Sequence, residues 1–150
     1  MSKGDDLPFA ITPVVRDTCI CLHVQRAARA LARRFDEAMR PVGLTNGQFS
    51  LLMSLNRPEP ARMAEVAEVL AMDRTTLTAA LKPLARRGLV TVTVDPEDRR
   101  SRRLALTPAG RKRLRAALPI WKREHARLDT EVGRRDASLD RMRADLRILA

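Results

Sequence analysis

Aromatic side chains are scarce in this chain of 150 residues. It contains no tyrosine, three phenylalanines and one tryptophan, so aromatics make up 3% of the sequence. Proteins that bind single-stranded nucleic acids rely on aromatic rings on which successive bases stack. The composition therefore argues against a single-strand binder.

Cysteine is almost absent, and the only two, Cys19 and Cys21, are separated by one residue. We predict a helix here, and on a helix this spacing turns the side chains about 200° from one another, which disfavours a bridge. The same divergence argues against a metal site that uses these cysteines and His23, so no metal and no cofactor are expected. Because the N-terminus has no secretory signal pattern, the expected compartment is the reducing cytoplasm.

Long uncharged runs are missing as well. The longest, residues 41–56, has sixteen residues and includes proline, glycine and asparagine. A helix that crosses a bilayer needs about 20 predominantly apolar residues. We therefore expect no membrane span.

Positive charge, by contrast, is abundant and unevenly placed. Twenty-nine lysines and arginines against eighteen acidic residues give a formal charge of +11. Residues 99–127 hold eleven of these cations and one acid, so this segment alone carries +10. Such a surface fits duplex nucleic acid or an anionic membrane. We favour DNA, because half of the basic segment has a β-hairpin pattern and the helix after it has an apolar seam for protein packing.

The hydrophobic pattern predicts one domain over residues 1–150, built mainly from helices. After a frayed start, a long one-sided helix follows Asp17 or Thr18. Thr45 and Gln48 then have the form of a capping box that opens a second helix.

Two helices separated by a tight turn come next. The first buries a stripe that begins at Met63, and the second is capped by Asp73, contains Pro83 and ends at Gly88. This arrangement is typical of a helix-turn-helix, whose second helix contacts bases. Proline inside that helix predicts a kink. We predict DNA contacts from its outward face at Arg74, Thr75, Thr76, Thr78, Ala79 and Lys82.

After the helix-turn-helix the hydrophobic period changes from 3.6 to 2. Residues 89–94 are β-branched and alternating, and residues 102–106 can pair with them across a charged loop, which predicts a β-hairpin. Thr107 and Pro108 then start a long helix that Gly133 breaks. The last helix has apolar residues at heptad-like positions. Because one protomer is not expected to bury all of this apolar surface, we predict a dimer.

Five motifs follow one another in these elements: GLTNGQF at 43–49, MAEVAEVL at 63–70, DRTTLT at 73–78, RRGLV at 86–90 and DPEDRRSRRLALTPAG at 95–110. In order and in sequence they resemble the MarR family of bacterial winged helix-turn-helix transcriptional regulators, from about residue 17 to 149. The last motif is the most specific. Glu97 departs from it, because the family usually has a basic residue at that position.

The resemblance implies a mainly α fold with a small β-hairpin wing. It places a winged helix-turn-helix lobe at 45–106 between long dimerisation helices at 17–42 and 108–150. It also implies a homodimer on a pseudo-palindromic double-stranded DNA operator, usually as a repressor. No paired carboxylates, phosphate loop or activated nucleophile can be recognised, so we expect no enzyme.

The wing residues follow by position in the same motif. Arg100 matches the arginine that family members insert into the minor groove, and Asp98 matches the acid that orients it. A narrow minor groove concentrates negative potential, which suits a guanidinium group at the tip of a hairpin. The predicted wing contacts are Asp98, Arg99, Arg100 and Arg102.

Relatives of this kind are commonly released from DNA by small aromatic acids or phenols, which predicts such an effector here. The candidate lining residues come from the first, second and fifth predicted helices and are His23, Arg26, Phe49, Met53 and Trp121.

Some family members instead sense peroxides through a cysteine at the start of the first helix, where Cys21 falls. Those sensors use tyrosines to activate the thiolate, and this chain has none. We therefore favour a buried, unreactive Cys21 on the apolar stripe. A thiol-based oxidation sensor and a sequence-tolerant architectural DNA binder stay open as alternatives.

Overall fold

Within residues 6–149, which are those that the structure describes, a computed structural model shows seven α-helices, one 3₁₀ turn and three short strands. The helices are α1 (Ile11–Thr18), α2 (Ile20–Met39), α3 (Asn46–Ser54), α4 (Met63–Val69), α5 (Arg74–Arg86), α6 (Pro108–Gly133) and α7 (Leu139–Arg147), and the 3₁₀ turn is Arg40–Val42. The strands are β1 (Ala61–Arg62), β2 (Val90–Val94) and β3 (Arg102–Leu106). The predicted class, mainly α with a small β-hairpin, is confirmed. By contacts the chain divides into two compact units, Met1–Arg34 and Phe35–Ala150.

The N-terminal unit corrects the prediction of a frayed start. Helix α1 already begins at Ile11, and α2 begins at Ile20 rather than directly after Asp17 or Thr18. A helix can form this early because Pro13 falls in its first turn, where the missing proline N–H costs no hydrogen bond.

The break between α1 and α2 also changes the reading of the two cysteines. Cys19 lies in the break with an extended backbone, at φ −71° and ψ 107°. The helical argument that turned Cys19 away from Cys21 therefore does not apply. Cys21, predicted to be buried on an apolar stripe, is exposed instead, because the start of α2 buries no side chain.

Three predicted helix caps are confirmed. The Thr45 hydroxyl accepts from the Gln48 N–H at 3.1 Å while the Gln48 side chain accepts from the Thr45 N–H at 3.1 Å, so the capping box is complete. Asp73 caps α5, and Thr107 caps α6 by accepting from the N–H of Gly110. These short-range bonds satisfy N–H groups that have no partner inside a helix.

The sheet has the order β1-β3-β2, with both neighbouring pairs antiparallel. Strands β2 and β3 form the predicted hairpin, in a register that pairs Val90 with Leu106 and Val94 with Arg102. Strand β1 was not predicted. It has two residues, too few to show a period of two, and it pairs Arg62 with Arg103.

A single core supports both the helix-turn-helix and the hairpin. Its fully buried leucines include Leu52 of α3, Leu77 and Leu84 of α5, and Leu104 of β3. Full burial of one such side chain contributes about 1.5–3 kcal/mol. Because α5 and β3 share this core, helix α5 and the hairpin hold a fixed relation. Helix α5 runs through Pro83 without interruption to Arg86.

The terminal helices carry apolar side chains that the single chain leaves in solvent. In α1 these include Ile11, Val14 and Val15, and at α7 Met142 and Leu146 are 43% and 48% exposed. Within residues 6–149 no helix is long and apolar enough to cross a membrane. The same residues contain no group of three His, Cys, Asp or Glu side chains that could hold a metal ion.

The contact between Gly110 and Leu89 tests the packing of α6. A Cβ on Gly110 would lie 2.0 Å from the carbonyl oxygen of Leu89, which also accepts a hydrogen bond from the N–H of Thr107. We expect Gly110→Ala to displace the start of α6 and to lower the free energy of unfolding by about 1–3 kcal/mol, the usual range for overpacking. Urea unfolding at a fixed protein concentration measures the change.

Gly47→Ala is the matched control. Gly47 is helical, and nothing lies within 4 Å of its added Cβ. Alanine there should leave stability unchanged or raise it by up to about 1 kcal/mol. If both variants unfold at the same urea concentration, the close approach at Gly110 is not a constraint.

Candidate nucleic-acid interface

Helix α5 presents the predicted DNA-contacting face. Its inner side is fixed by the buried Leu77, Leu81 and Leu84. At its start, the Asp73 carboxylate accepts from the backbone N–H of Thr76 and from the Thr76 hydroxyl, both at 2.7 Å. These bonds hold the pKa of Asp73 below its ordinary value, and the bond from the Thr76 backbone N–H has the larger effect. The exposed side chains on the other side are Arg74, Thr75, Thr76, Thr78, Ala79 and Lys82.

The tip of the hairpin is a turn organised by Asp98. The Ser101 N–H donates to the carbonyl oxygen of Asp98 at 2.8 Å, and the Arg100 N–H donates to the Asp98 carboxylate at 3.0 Å. Aspartate at the first position of a turn favours this arrangement. Asp98 thus orients Arg100 by accepting from the backbone N–H of Arg100. The Arg100 guanidinium is exposed, and within residues 6–149 it has no protein acceptor.

A side chain of α5 reaches across to the wing. The Arg74 guanidinium donates to the carbonyl oxygen of Arg100 at 2.8 Å. Arg74 is therefore partly occupied in holding the tip of the wing. Beneath this bond lies a cleft of about 380 Å³, lined by Met63, Arg74, Thr78, Leu81, Lys82, Ala85, Val92 and Arg102.

Two other predicted contacts also bond within the chain. The Thr78 hydroxyl donates to the carbonyl oxygen of Arg74 at 2.7 Å, which leaves its oxygen free to accept. Arg102 is half-buried and donates to the carbonyl oxygens of Arg99 and Ser101. Apart from Arg102, all of the ten predicted DNA residues are exposed, including Thr78.

The base of the wing contains a charge cluster that sequence reasoning missed. The Asp95 side chain is 2% exposed, and its carboxylate lies 2.8 Å from Nε of Arg103 and 3.9 Å from Nε of Arg62. Glu97 lies 2.7 Å from Nη2 of Arg62 and 3.5 Å from Nη2 of Arg103. The cluster depends on β1, which places Arg62 beside Arg103, and no local motif in the sequence indicates that pairing.

Asp95 is ionised in this setting. The backbone N–H of Glu97, at 3.0 Å, holds the pKa of Asp95 below its ordinary value, and Arg103 acts in the same direction, whereas burial opposes both. The Asp95 N–H in turn donates to the carbonyl oxygen of Ser101, which closes the loop across the wing. A buried carboxylate with these partners fixes where the loop leaves β2.

The basic segment 99–127 divides between structural and free cations. Arg103 is paired with Asp95, and Arg113 donates to the carbonyl oxygen of Val42 at 2.6 Å. The exposed cations in the first turns of α6 are Arg111, Lys112 and Arg115. The ion pair with Asp95, which lies outside the segment, offsets one unit of its formal +10, whereas the bond of Arg113 to a neutral carbonyl restrains that cation without reducing its charge.

The predicted effector residues fall into two sets. In the N-terminal unit, His23 and Arg26 share one face of α2 with Arg29 and Arg33 around an open, shallow pocket. In the other unit, the rings of Phe49 and Trp121 stack with centroids 6.1 Å apart. The His125 ring packs at a tilt against Trp121, with centroids 4.0 Å apart, and against Phe35, with centroids 4.6 Å apart. Met53 is half-buried against the same core.

Known proteins resemble the chain in sequence. The profile of the MarR family matches residues 44–101. The HTH-type transcriptional repressor NicR of Pseudomonas putida is 36% identical over 115 residues, which span 77% of the chain and 70% of NicR. The transcriptional activatory protein BadR of Rhodopseudomonas palustris is 34% identical over 57% of the chain, and there the chain spans 51% of its relative's length.

Solved structures resemble it over more of their length. The M. tuberculosis transcriptional regulator MosR in complex with DNA has a TM-score of 0.79 and 39% identity, covering 87% of the chain and 92% of MosR. The transcriptional repressor CouR bound to a 23-mer DNA duplex has a TM-score of 0.72 and 32% identity, covering 90% and 92%. CouR is also known with p-coumaroyl-CoA bound, with a TM-score of 0.75 and 29% identity over 90% and 94% of the two chains.

The buried carboxylate makes the wing sensitive to acid. Because the folded pKa of Asp95 is depressed, its contribution to stability is present above the unfolded value of about 3.9 and is lost as pH falls through the folded pKa. Asp95→Asn removes this titration. At pH 7 we expect the variant to unfold at lower urea concentration and its wing amides to exchange faster.

The difference in urea midpoint between Asp95→Asn and the original chain should then narrow as pH falls from 5 toward 3, in the direction that linkage requires. Asp140→Asn on α7 is the control, since that carboxylate is 91% exposed. A difference that stays constant or widens with acid would mean that Asp95 does not stabilise the wing as a charged group.

Proposed function

Because the chain belongs to the MarR family of transcriptional regulators, we propose that it is a homodimeric repressor that binds a pseudo-palindromic operator and is released by a small aromatic or lipophilic anion. The relatives are transcriptional regulators and not enzymes. The observation that carries the DNA-binding proposal is the bond from Arg74 to the carbonyl oxygen of Arg100, which links α5, the proposed recognition helix, to the tip of the wing.

Each half of this surface suits one groove of duplex DNA. The first turns of α5 expose Thr75 and Ala79, short side chains that can approach base edges in the major groove. Arg100 stands at the wing tip with an exposed guanidinium, the group that a narrow minor groove attracts. Lys82 and Arg99 are exposed and can contact phosphates.

The homodimer is proposed from the terminal helices. Isolated apolar side chains on a surface are ordinary, but α1 and α7 each carry several on a short helix. A second copy of the chain covers such surfaces, and two copies related by a dyad would present two recognition helices. These would meet major grooves about 34 Å apart.

Repression is proposed in preference to activation because of the relatives matched over most of their length. NicR and CouR are repressors, whereas BadR, an activatory protein, is matched over 51% of its length. Release by an aromatic anion is supported by the p-coumaroyl-CoA complex of CouR. In the Phe35–Ala150 unit the half-buried Trp121, stacked on the buried Phe49, offers aromatic surface. In the N-terminal unit His23 and Arg26 offer polar and cationic groups in an open pocket.

A second candidate is a repressor that senses oxidation through Cys21. Cys21 is exposed, and the half-buried Cys19 lies near it in sequence at the break between α1 and α2. Both features support this alternative, whereas the sequence had predicted a buried, unreactive Cys21. The thiolate, which is the reactive form, needs access to the oxidant.

The operator test separates a repressor from an architectural DNA binder. DNA fragments bound by the protein are selected from genomic DNA, and their affinity is compared with that of random duplex. We expect a preference of about 10³ or more. Equal affinities with a steep salt dependence would identify the protein as an architectural binder.

Arg100→Ala tests the wing on the same operator. We expect a loss of about 1–3 kcal/mol in binding free energy, because a specific groove contact is removed. Arg134→Ala at the end of α6 is the control and should bind as the original chain does. If Arg100→Ala retains full affinity in a gel-shift titration, the wing does not contact the operator.

Adding benzoate-type acids or peroxide to the protein–operator complex distinguishes release by a ligand from release by oxidation. Benzoate-type acids should release the operator and give binding heat in isothermal titration. For the redox alternative, stoichiometric peroxide should release it and leave an oxidised Cys21 in the mass spectrum, whereas Cys21→Ser should stay bound. Absence of both heat and release with the acids would contradict the proposed effector class.

A further inference from the structure

Glu97 is an acidic residue two positions before the basic segment 99–127. It lies in the loop of the wing, with Asp98, Arg99 and Arg100 directly after it. Its side chain is 70% exposed and its Oε2 lies 2.7 Å from Nη2 of Arg62. The wing thus carries a solvent-exposed negative charge beside the arginines that are proposed to contact DNA.

The ion pair engages an arginine whose other acidic neighbour, Asp95, is more distant. Arg62 is 50% exposed, and Glu97 is its close partner, since Asp95 lies 3.9 Å away and bonds mainly to Arg103. The four charged groups Arg62, Asp95, Glu97 and Arg103 sum to zero. Without Glu97 the same place on the wing would carry a net positive charge.

This place lies within electrostatic reach of the wing tip. Three residues of extended chain span at most about 10–11 Å, so Glu97 is no farther than that from Arg100 along the backbone. The Debye length is about 8 Å at physiological salt and about 10 Å at 0.1 M, which is comparable to this upper bound. A phosphate contacted within that distance of Glu97 and Arg62 would experience their charges, whereas a more distant one would be largely screened from them.

From these contacts we infer that Glu97 is a specificity-determining residue: by pairing with Arg62 it withholds one arginine from DNA phosphates and thereby weakens binding to random sequence. This inference rests on the proposed DNA-binding function and names a device within that same site. Binding to random DNA is almost entirely electrostatic, because the protein adopts whichever orientation engages most cations. In an operator complex, base contacts set the orientation, and a freed arginine gains a phosphate only where the geometry allows.

The pair can be broken without loss of the fold. An exposed ion pair contributes little to stability, so Glu97→Gln should unfold as the original chain does. The glutamine has nearly the same shape and lacks the charge. Its effect on DNA binding then reports on charge rather than on packing.

The experiment measures the affinity for a labelled random duplex and for the selected operator from 50 to 200 mM salt, by fluorescence anisotropy. For Glu97→Gln we expect random-duplex affinity to rise by roughly three- to tenfold. The slope of log affinity against log salt should steepen by about 0.9, the value of one added phosphate contact. Operator affinity should rise less, so the specificity ratio falls.

Two further variants identify the cause. Combining Arg62→Gln with Glu97→Gln should abolish the gain, because the freed arginine is then missing. Glu37→Gln is the matched control. Glu37 is an exposed acid of α2 paired with Arg40, and its loss changes the net charge of the chain by the same unit. It should leave both affinities unchanged.

Three results would overturn the inference: no gain for Glu97→Gln on random duplex, an equal gain for Glu37→Gln, or a gain that persists when Arg62 is also replaced. If the original chain binds the operator selectively and Glu97→Gln changes nothing, only the role of Glu97 is wrong. If the original chain binds no duplex, the proposed function fails and the inference fails with it.

Discussion

The wing depends on one buried carboxylate. Asp95 stands where the chain leaves β2, almost fully shielded from solvent, and a buried charge without partners would be costly. The N–H of Glu97 and the guanidinium of Arg103 supply those partners. Because Arg103 belongs to β3 and pairs in register with Arg62 of β1, the same interaction ties all three strands to the loop.

From this base the wing can present its tip in a defined position. The turn at Asp98 sets the backbone of Arg100, and Arg74 reaches across from α5 to the carbonyl oxygen of Arg100. Both elements that are proposed to contact DNA share a single core through Leu77 and Leu104. Preorganisation of this kind matters because each immobilised long side chain costs about 0.5–1.5 kcal/mol on binding.

The elements that were predicted correctly are those whose signal is local. Thr45, Asp73 and Thr107 cap helices through bonds to residues three positions along the chain, and β2 and β3 alternate with a period of two. The exposed face of α5 also has a local signal, because it lies opposite buried leucines that recur with the period of a helix. Its role on DNA, which the helix-turn-helix spacing predicts, and that of Arg100, which the family resemblance implies, remain predictions that the contacts support.

What the sequence determined alone is therefore the type, order and ends of most elements, the basic character of the wing and the family. The tertiary structure decided the rest: that β1 exists, that Asp95 is buried, that Arg62 and Glu97 form a pair, and that Arg74 holds the wing. Arg62 and Glu97 are 35 positions apart in sequence, as are many partners in a sheet. Contacts of that kind leave no periodic or short-range trace, because they arise only when separate strands align on a common core.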